Sequence, residues 1–156
     1  MLWLIIPLVA FCSVIIAGYI RNFTQEELAE GERYFKILQI ILSTSIAILL
    51  LFKLQASLPV IASAIVGIAT AHFLKEKWLY LGISMVASLF ISLEWYALIA
   101  SLIFIYGLPY GTRHTKVWKN LVLFLLPFAF FFLKGFATEY SSIIAGFVAG
   151  SLLLRE

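Results

Sequence analysis

Apolar residues run almost without interruption along the chain, and charged or turn-forming residues divide them into segments of 14 to 19 residues. Segments that are apolar on every side and carry few charges are typical of helices that cross a lipid bilayer. They predict seven helices, at residues 2–20, 34–52, 57–73, 78–92, 95–108, 117–133 and 140–154. We therefore expect an all-α integral membrane protein, a seven-transmembrane-helix bundle that forms a single domain over residues 1–156.

The helix count depends on the apolar stretch 78–108, which only Glu94 interrupts. As one helix this stretch would be roughly 46 Å long, whereas the hydrocarbon core of a bilayer is about 30 Å thick. It would also hold Glu94 near the middle of the membrane, at a cost of about 2.5–3.5 kcal/mol. A turn at Leu93–Glu94 avoids both problems and gives seven helices. The alternative, an unbroken helix, gives six.

The distribution of basic residues favours seven helices independently. With seven spans, only Lys53 and Lys134 lie on one side of the membrane. The other nine basic residues share the opposite side: Arg21, Arg33, Lys36, Lys75, Lys77, Arg113, Lys116, Lys119 and Arg155. With six spans, the basic residues would be divided six against five. Because cytoplasmic loops are enriched in lysine and arginine, we predict a multi-pass protein of the cell membrane with its N-terminus outside and its C-terminus inside.

Aromatic residues near the helix ends fit this orientation, because tryptophan and tyrosine gather at membrane interfaces. The predicted outer belt contains Trp3, Trp95, Tyr96 and Tyr140, and the predicted inner belt contains Tyr19, Trp78, Tyr110 and Trp118. Composition agrees, since 12% of the residues are charged, about half the share in a soluble domain. The net charge of +3 then reflects the cytoplasmic loops, and we expect no nucleic-acid partner.

The residues that membrane enzymes use are scarce. The chain contains no aspartate, which excludes an aspartyl protease, and its one cysteine, Cys12, has no partner for an intramolecular disulfide. The two histidines, His72 and His114, belong to no zinc-binding motif, and no phosphate-binding loop or nucleophile motif is present. We therefore predict no catalytic residue, no metal and no cofactor, and we favour a protein that is not an enzyme.

Two further patterns concern the arrangement of helices. Thr24-x-x-Glu27 is a capping-box pattern, which predicts a short cytoplasmic helix that Gly31 separates from helix 2; Glu32 and Lys36 are spaced to form an ion pair on one helix face. Residues 36–50 can also be aligned with 119–133, and 63–74 with 142–153. This alignment favours a 3+1+3 plan of two parallel triple-helix repeats joined by helix 4, a construction found among transporters.

Small residues recur at every fourth position in two of the predicted helices. Helix 7 contains Gly146 and Gly150 at this spacing, and helix 3 contains Ser63, Gly67 and Ala71. Small side chains so spaced let two helix backbones approach closely. We predict that Gly67, Ala71, Gly146 and Gly150 pack helices together, either within the chain or between copies in a homo-oligomer.

Two groups of charged residues are candidates for binding sites. The first lies on the predicted outer side and is a candidate substrate site, with the residues Glu94, Lys53, Lys134 and Glu139. The second lies in two cytoplasmic loops and is a candidate contact for the head group of an anionic lipid, with the residues His72, Lys75, Lys77, Arg113, His114 and Lys116. In addition, Pro127 inside helix 6 predicts a kink or a free backbone carbonyl.

These features support three functional hypotheses. The first, favoured by the sequence, is a transporter or channel for a small solute or ion, in which Glu94 and a lysine face a central cavity. The second is a non-catalytic subunit or assembly factor of a larger membrane complex, with small-residue seams and no internal cavity. The third is an enzyme that acts on lipid. It would need a cytoplasmic site built from His72, His114 and either Glu76 or the glutamates of the first loop, and the missing aspartates make it the least favoured.

Overall fold

A computed structural model describes residues 2–21, 23, 25–54, 57–112, 117–129 and 140–153, without the side chains of 2–4, 25–30 and 53. Within these ranges all regular structure is helical. The seven helices are α1 (Leu2–Arg21), α2 (Gln25–Lys53), α3 (Leu58–Phe73), α4 (Lys77–Ile91), α5 (Leu93–Gly111), α6 (Val117–Ala129) and α7 (Ser141–Leu153). The predicted number of helices is therefore confirmed for the described part of the chain.

Two of these helices are long and apolar enough to cross a membrane. They are Gly31–Phe52 within α2, and α5. The apolar parts of the other five are 17 residues or shorter, whereas a helix normally needs about 20 residues to span the hydrocarbon core. By length and composition these two helices are candidates for membrane spans, and the seven-span arrangement remains a proposal.

The second helix begins earlier than predicted. α2 starts at Gln25 and continues through Gly31, so the prediction of a separate short helix before Gly31 is wrong. A glycine inside a helix costs only about 1 kcal/mol relative to alanine, which a helix of 29 residues tolerates. The predicted pair of Glu32 and Lys36 does form, with 3.4 Å between Oε1 and Nζ.

The long apolar stretch is broken at Ser92, one residue before the predicted turn. Ser92 is extended, with φ −169° and ψ 163°, and its backbone N–H donates to the carbonyl of Ser88. Its side-chain oxygen accepts a hydrogen bond of 3.3 Å from the backbone N–H of Trp95. This residue therefore ends α4 and caps α5, and it leaves Glu94 in the first turn of α5.

Helix α4 lies in the middle of the bundle, where it packs against α5, α6 and α7. α2 packs against α5 and α7, α1 mainly against α5, and α3 mainly against α7. The predicted repeat would make α6 equivalent to α2, but the described part of α6 packs mainly against α4. The two halves of the chain therefore differ in their packing, and α4 is a core helix as well as a connection.

Candidate functional site

Of the outer group of charged residues, only the side chain of Glu94 lies in the described part of the chain. Glu94 is exposed at the N-terminus of α5, where the partial positive charge of the helix end favours an acidic side chain. The side chain of Lys53 lies outside the described part, as do Lys134 and Glu139 entirely. Glu94 thus suits the start of α5, and the predicted substrate site stays a prediction.

The structure places half of the predicted head-group contacts. His72 is exposed in the last turn of α3, Lys75 is exposed in the connection to α4, and Lys77 is half-buried as the first residue of α4. The other three, Arg113, His114 and Lys116, lie outside the described residues. The three described residues thus share the corner of the bundle at which α3 ends and α4 begins.

The small residues of α3 and α7 lie against each other within the chain. A Cβ on Gly146 would come within 2.9 Å of the carbonyl oxygen of Val60, and one on Gly150 would overlap the backbone of Ala64. Real Cβ atoms do not approach other atoms so closely. Residue numbers rise together along the contact, from Val60 and Gly146 to Ala64 and Gly150. α3 and α7 therefore run parallel.

Gly67 completes this contact from the side of α3. A Cβ there would overlap the carbonyl oxygen of Phe147 and lie 3.1 Å from the backbone nitrogen of Ser151. Ala71 is half-buried and packs against the core one turn further along. We call this contact the α3–α7 seam and define it by Ala64, Gly67, Gly146 and Gly150.

A second glycine contact, which was not predicted, joins α1 to α5. Gly107 lies against Ser13, and a Cβ added there would overlap the Ser13 hydroxyl. Gly111 lies against the backbone of Val14, and a Cβ added there would be 2.8 Å from the Cβ of Ala17. Gly107 and Gly111 have the same four-residue spacing as the glycines of α7, so the sequence did contain the signal. The contacts again advance together, and α1 and α5 run parallel.

A single glycine brings α4 and α6 together. A Cβ on Gly82 would overlap the carbonyl oxygen of Phe124 and lie 3.1 Å from Cγ of Pro127. Pro127 is buried, so the proline predicted to bend helix 6 faces α4 and not the surroundings. One glycine has no repeated spacing, which explains why the sequence pattern did not reveal this contact.

Trp78 fills the space between four helices. Its ring centroid lies 5.1 Å from those of Phe11 and Tyr110, 5.7 Å from that of Phe124 and 5.9 Å from that of Tyr106. All four contacts are edge-to-face, an arrangement that aromatic rings favour. Only 2% of Trp78 is exposed, and its Nε1–H has no acceptor among the described residues.

The aromatic belts are therefore only partly as predicted. Trp78 and Tyr96 were expected at the inner and outer interfaces, but both are buried in the core. Tyr19 and Trp118 are exposed, as an interfacial position requires. The prediction fails where a ring near a helix end turns inward, because sequence position gives depth along a helix but not the direction of the side chain.

Two polar contacts border the Trp78 cluster. The Nζ of Lys119 in α6 forms an ion pair with Oε1 of Glu76, the residue before α4. The neighbouring Asn120 is buried and donates from Nδ2 to the hydroxyl oxygen of Tyr110, 3.2 Å away. These contacts fix the start of α6 against the start of α4 and the end of α5.

The core of the described residues contains no acidic, basic or histidine side chain. Its buried polar residues are Ser13, Gln39, Ser43, Ser84, Ser88, Asn120 and Ser151. The serine hydroxyls donate to carbonyl oxygens three residues earlier in their own helices, for example Ser84 to Leu81 at 2.7 Å. Among the described residues, no three His, Cys, Asp or Glu side chains are grouped to hold a metal ion.

An apolar groove of about 580 Å³ lies on the outside of the bundle between α3, α4 and α7. Its lining includes Pro59 and Val66 from α3, Ile83 from α4, and Ile143 and Phe147 from α7. The groove runs beside the α3–α7 seam and carries almost no polar surface. The groove can therefore accommodate a lipid acyl chain or an apolar side chain.

The chain matches no protein-family model, and no curated protein or solved structure is similar to it at a significant level.

Proposed function

We propose that the protein is a non-catalytic subunit or assembly factor of a larger membrane complex. The observation that carries this proposal is the absence of acidic, basic and histidine side chains from the described core. Proteins that move ions or protons across membranes place such side chains inside the membrane, where they mark the pathway. A core of aromatic rings, small residues and serines bonded to their own helices instead supplies a rigid packing unit.

We further propose that all seven helices cross the cell membrane, with the N-terminus outside. Large apolar side chains are exposed on several helices, for example Ile15 on α1, Ile41 on α2, Ile65 on α3 and Val122 on α6. Exposure to water costs about 25 cal/mol for each Å² of apolar surface, a cost that lipid removes. The surface of the bundle is thus suited to hydrocarbon.

The short helices favour a complex over an isolated bundle. α3 and α4, whose two ends are both described, have 16 and 15 residues, which corresponds to about 22–24 Å of helix. A span shorter than the hydrocarbon core is accommodated by thinning of the bilayer or by association with other proteins. Association lowers the cost of this mismatch, which supports the role of a subunit.

The proposed orientation is tested by labelling single cysteines. Cys12 is replaced by alanine, and either Lys75→Cys or Glu94→Cys is introduced. An impermeant maleimide added to intact cells is expected to label the Glu94 variant, and to label the Lys75 variant only after permeabilisation. Labelling of both variants in intact cells would place the two ends of α4 on one side and contradict the seven-span arrangement.

The proposed subunit role is tested by photo-crosslinking in native membranes. A photoreactive residue is placed in turn at Ile15, Ile41, Ile65 and Val122, all exposed on different helices. A partner is expected to give one protein adduct of constant mass from one helix face, while the other faces give lipid adducts. Lipid adducts at all four positions, together with a monomer in native mass spectrometry, would contradict the proposal.

Transport of a small solute or ion is the competing proposal, and it rests on Glu94, the one described side chain of the outer charged group. Purified protein in proteoliposomes is tested for flux of protons, monovalent cations and a panel of small neutral solutes. Flux that disappears in Glu94→Gln would establish transport and overturn the subunit role. Equal passive leakage in protein-containing and empty vesicles supports the subunit role.

A further inference from the structure

The connection between α3 and α4 is held in a fixed position by both helices. The backbone N–H of Leu74 donates to the carbonyl of Thr70 at 2.8 Å, and the hydroxyl of Tyr80 donates to the carbonyl of Leu74 at 3.0 Å. On the α4 side, the backbone N–H of Leu79 donates to the carbonyl of Glu76 at 3.0 Å. Side chains on this connection are therefore presented from a defined backbone.

Two lysines at the corner where the α3–α4 connection meets the start of α6, Lys75 and Lys119, differ in whether a carboxylate neutralises their charge. The Glu76–Lys119 ion pair brings the start of α6 to the connection and neutralises the charge of Lys119. Lys75, the residue before Glu76, is exposed and forms no ion pair with any carboxylate in the described part of the chain. Among the described residues, the charge of Lys75 is thus available to bind an anion from outside the protein.

Two exposed aromatic rings belong to the segments that meet at this corner. Phe73 ends α3 two residues before Lys75, and Trp118 precedes Lys119 on α6, so both rings are adjacent in sequence to the residues of the corner. They are 84% and 79% exposed. Aromatic rings at a membrane interface settle among the glycerol and head-group region, and a lysine at the same depth extends its ammonium group to the phosphates.

We propose that this corner, defined by Phe73, Lys75, Glu76, Trp118 and Lys119, binds the head group of an anionic phospholipid, with Lys75 as the main contact to the phosphate. The exposed rings favour a lipid over a free phosphate, because only a lipid offers apolar matter beside its charge. The inference rests on the proposed location of the bundle in a membrane. It adds a lipid ligand to the protein partner proposed above.

The experiment measures lipid binding to the full-length protein by native mass spectrometry, with phosphatidylglycerol and phosphatidylcholine as probes. Phosphatidylglycerol is expected to bind more tightly, and Lys75→Gln is expected to weaken its binding on the order of fivefold. Lys36→Gln is the matched control, since it removes the same charge from an exposed lysine on α2. Glu76→Gln is expected to strengthen binding, because it frees the charge of Lys119.

Three results would overturn the inference: equal binding of the two lipids, equal losses in Lys75→Gln and Lys36→Gln, or no gain in Glu76→Gln. Displacement of phosphatidylglycerol by millimolar inorganic phosphate would also overturn it, because the ligand would then be free phosphate. Each variant is first shown to keep the melting temperature of the unchanged protein. Release of the unchanged protein from membranes by alkaline carbonate would instead refute its location in the bilayer, and with it the proposed function.

Discussion

Gly150 of α7 lies directly against the backbone of Ala64 in α3, with no side chain between the two helices. The contact depends on close approach, since dispersion between backbones falls away when they separate by even an ångström. The neighbouring contact between Gly146 and Val60 has the same character. The α3–α7 seam is thus specified by the absence of side chains.

Gly150→Leu is expected to destabilise the protein strongly. The added side chain would overlap backbone atoms of Ala64, and overpacking of a core typically costs on the order of 1–3 kcal/mol. Gly18→Ala is the control, because a Cβ at Gly18 would meet nothing closer than the carbonyl oxygen of Gly111, at 4.0 Å. Thermal unfolding in detergent is the measurement, and equal melting temperatures for the two variants would contradict a role of the seam in stability.

Removal of the Trp78 ring is expected to cost about 3–5 kcal/mol in Trp78→Ala, because the side chain fills the space between four other rings. Trp78→Phe is expected to cost much less. It retains most of the ring contacts and removes an N–H that has no acceptor among the described residues, so no described partner is left unpaired.

The control for this pair is Trp118→Ala, which removes the same side chain from an exposed position and is expected to change stability by less than about 0.5 kcal/mol. Denaturant unfolding in micelles measures all three variants. If Trp78→Phe proved as damaging as Trp78→Ala, the indole N–H would have a partner that the described residues do not include.

The ion pair between Glu76 and Lys119 is expected to contribute modestly to the free energy of unfolding. Both side chains are partly exposed, at 32% and 54%, and exposed pairs typically contribute about 0.2–1 kcal/mol. A double-mutant cycle with Glu76→Gln and Lys119→Gln measures this coupling energy. A coupling larger than about 2 kcal/mol would show that the pair is shielded from solvent, in conflict with its exposure.

Ser92→Ala is expected to cost about 0.5–2 kcal/mol, because it removes the side-chain oxygen that accepts from the backbone N–H of Trp95. Ser101→Ala is the matched control. Its hydroxyl is exposed and donates to the carbonyl of Ala97 within the same helix, so its loss should be nearly neutral. Similar unfolding energies for both variants would mean that the side chain of Ser92 does not stabilise the break between α4 and α5.

Sequence pattern was a good guide wherever local chemistry decides the structure. The break near Glu94 was predicted to within one residue, since a charge in a long apolar stretch is costly; the cap that Ser92 provides was not predicted. The break predicted at Gly31 is wrong, because the low helix propensity of one residue is a small cost in a long helix. The four-residue spacing of small residues marks a helix face but names no partner, so the pairing of α3 with α7 required the structure.

The candidate sites show the same division. The spacing of Glu32 and Lys36 predicts their ion pair, because both residues lie on one helix. Lys119 and Glu76 are 43 residues apart, and no local rule brings them together. The inward turn of Trp78 likewise depends on the rings of three other helices, which only the tertiary arrangement supplies.

The glycine contacts also have a consequence for the order in which the chain assembles. α3 packs mainly against α7, the last helix described, and α1 mainly against α5. During synthesis α3 is therefore complete well before its partner α7 exists, and until then its side of the α3–α7 seam lacks the helix that covers it. The α3–α7 seam can therefore close only after α7 has been synthesised.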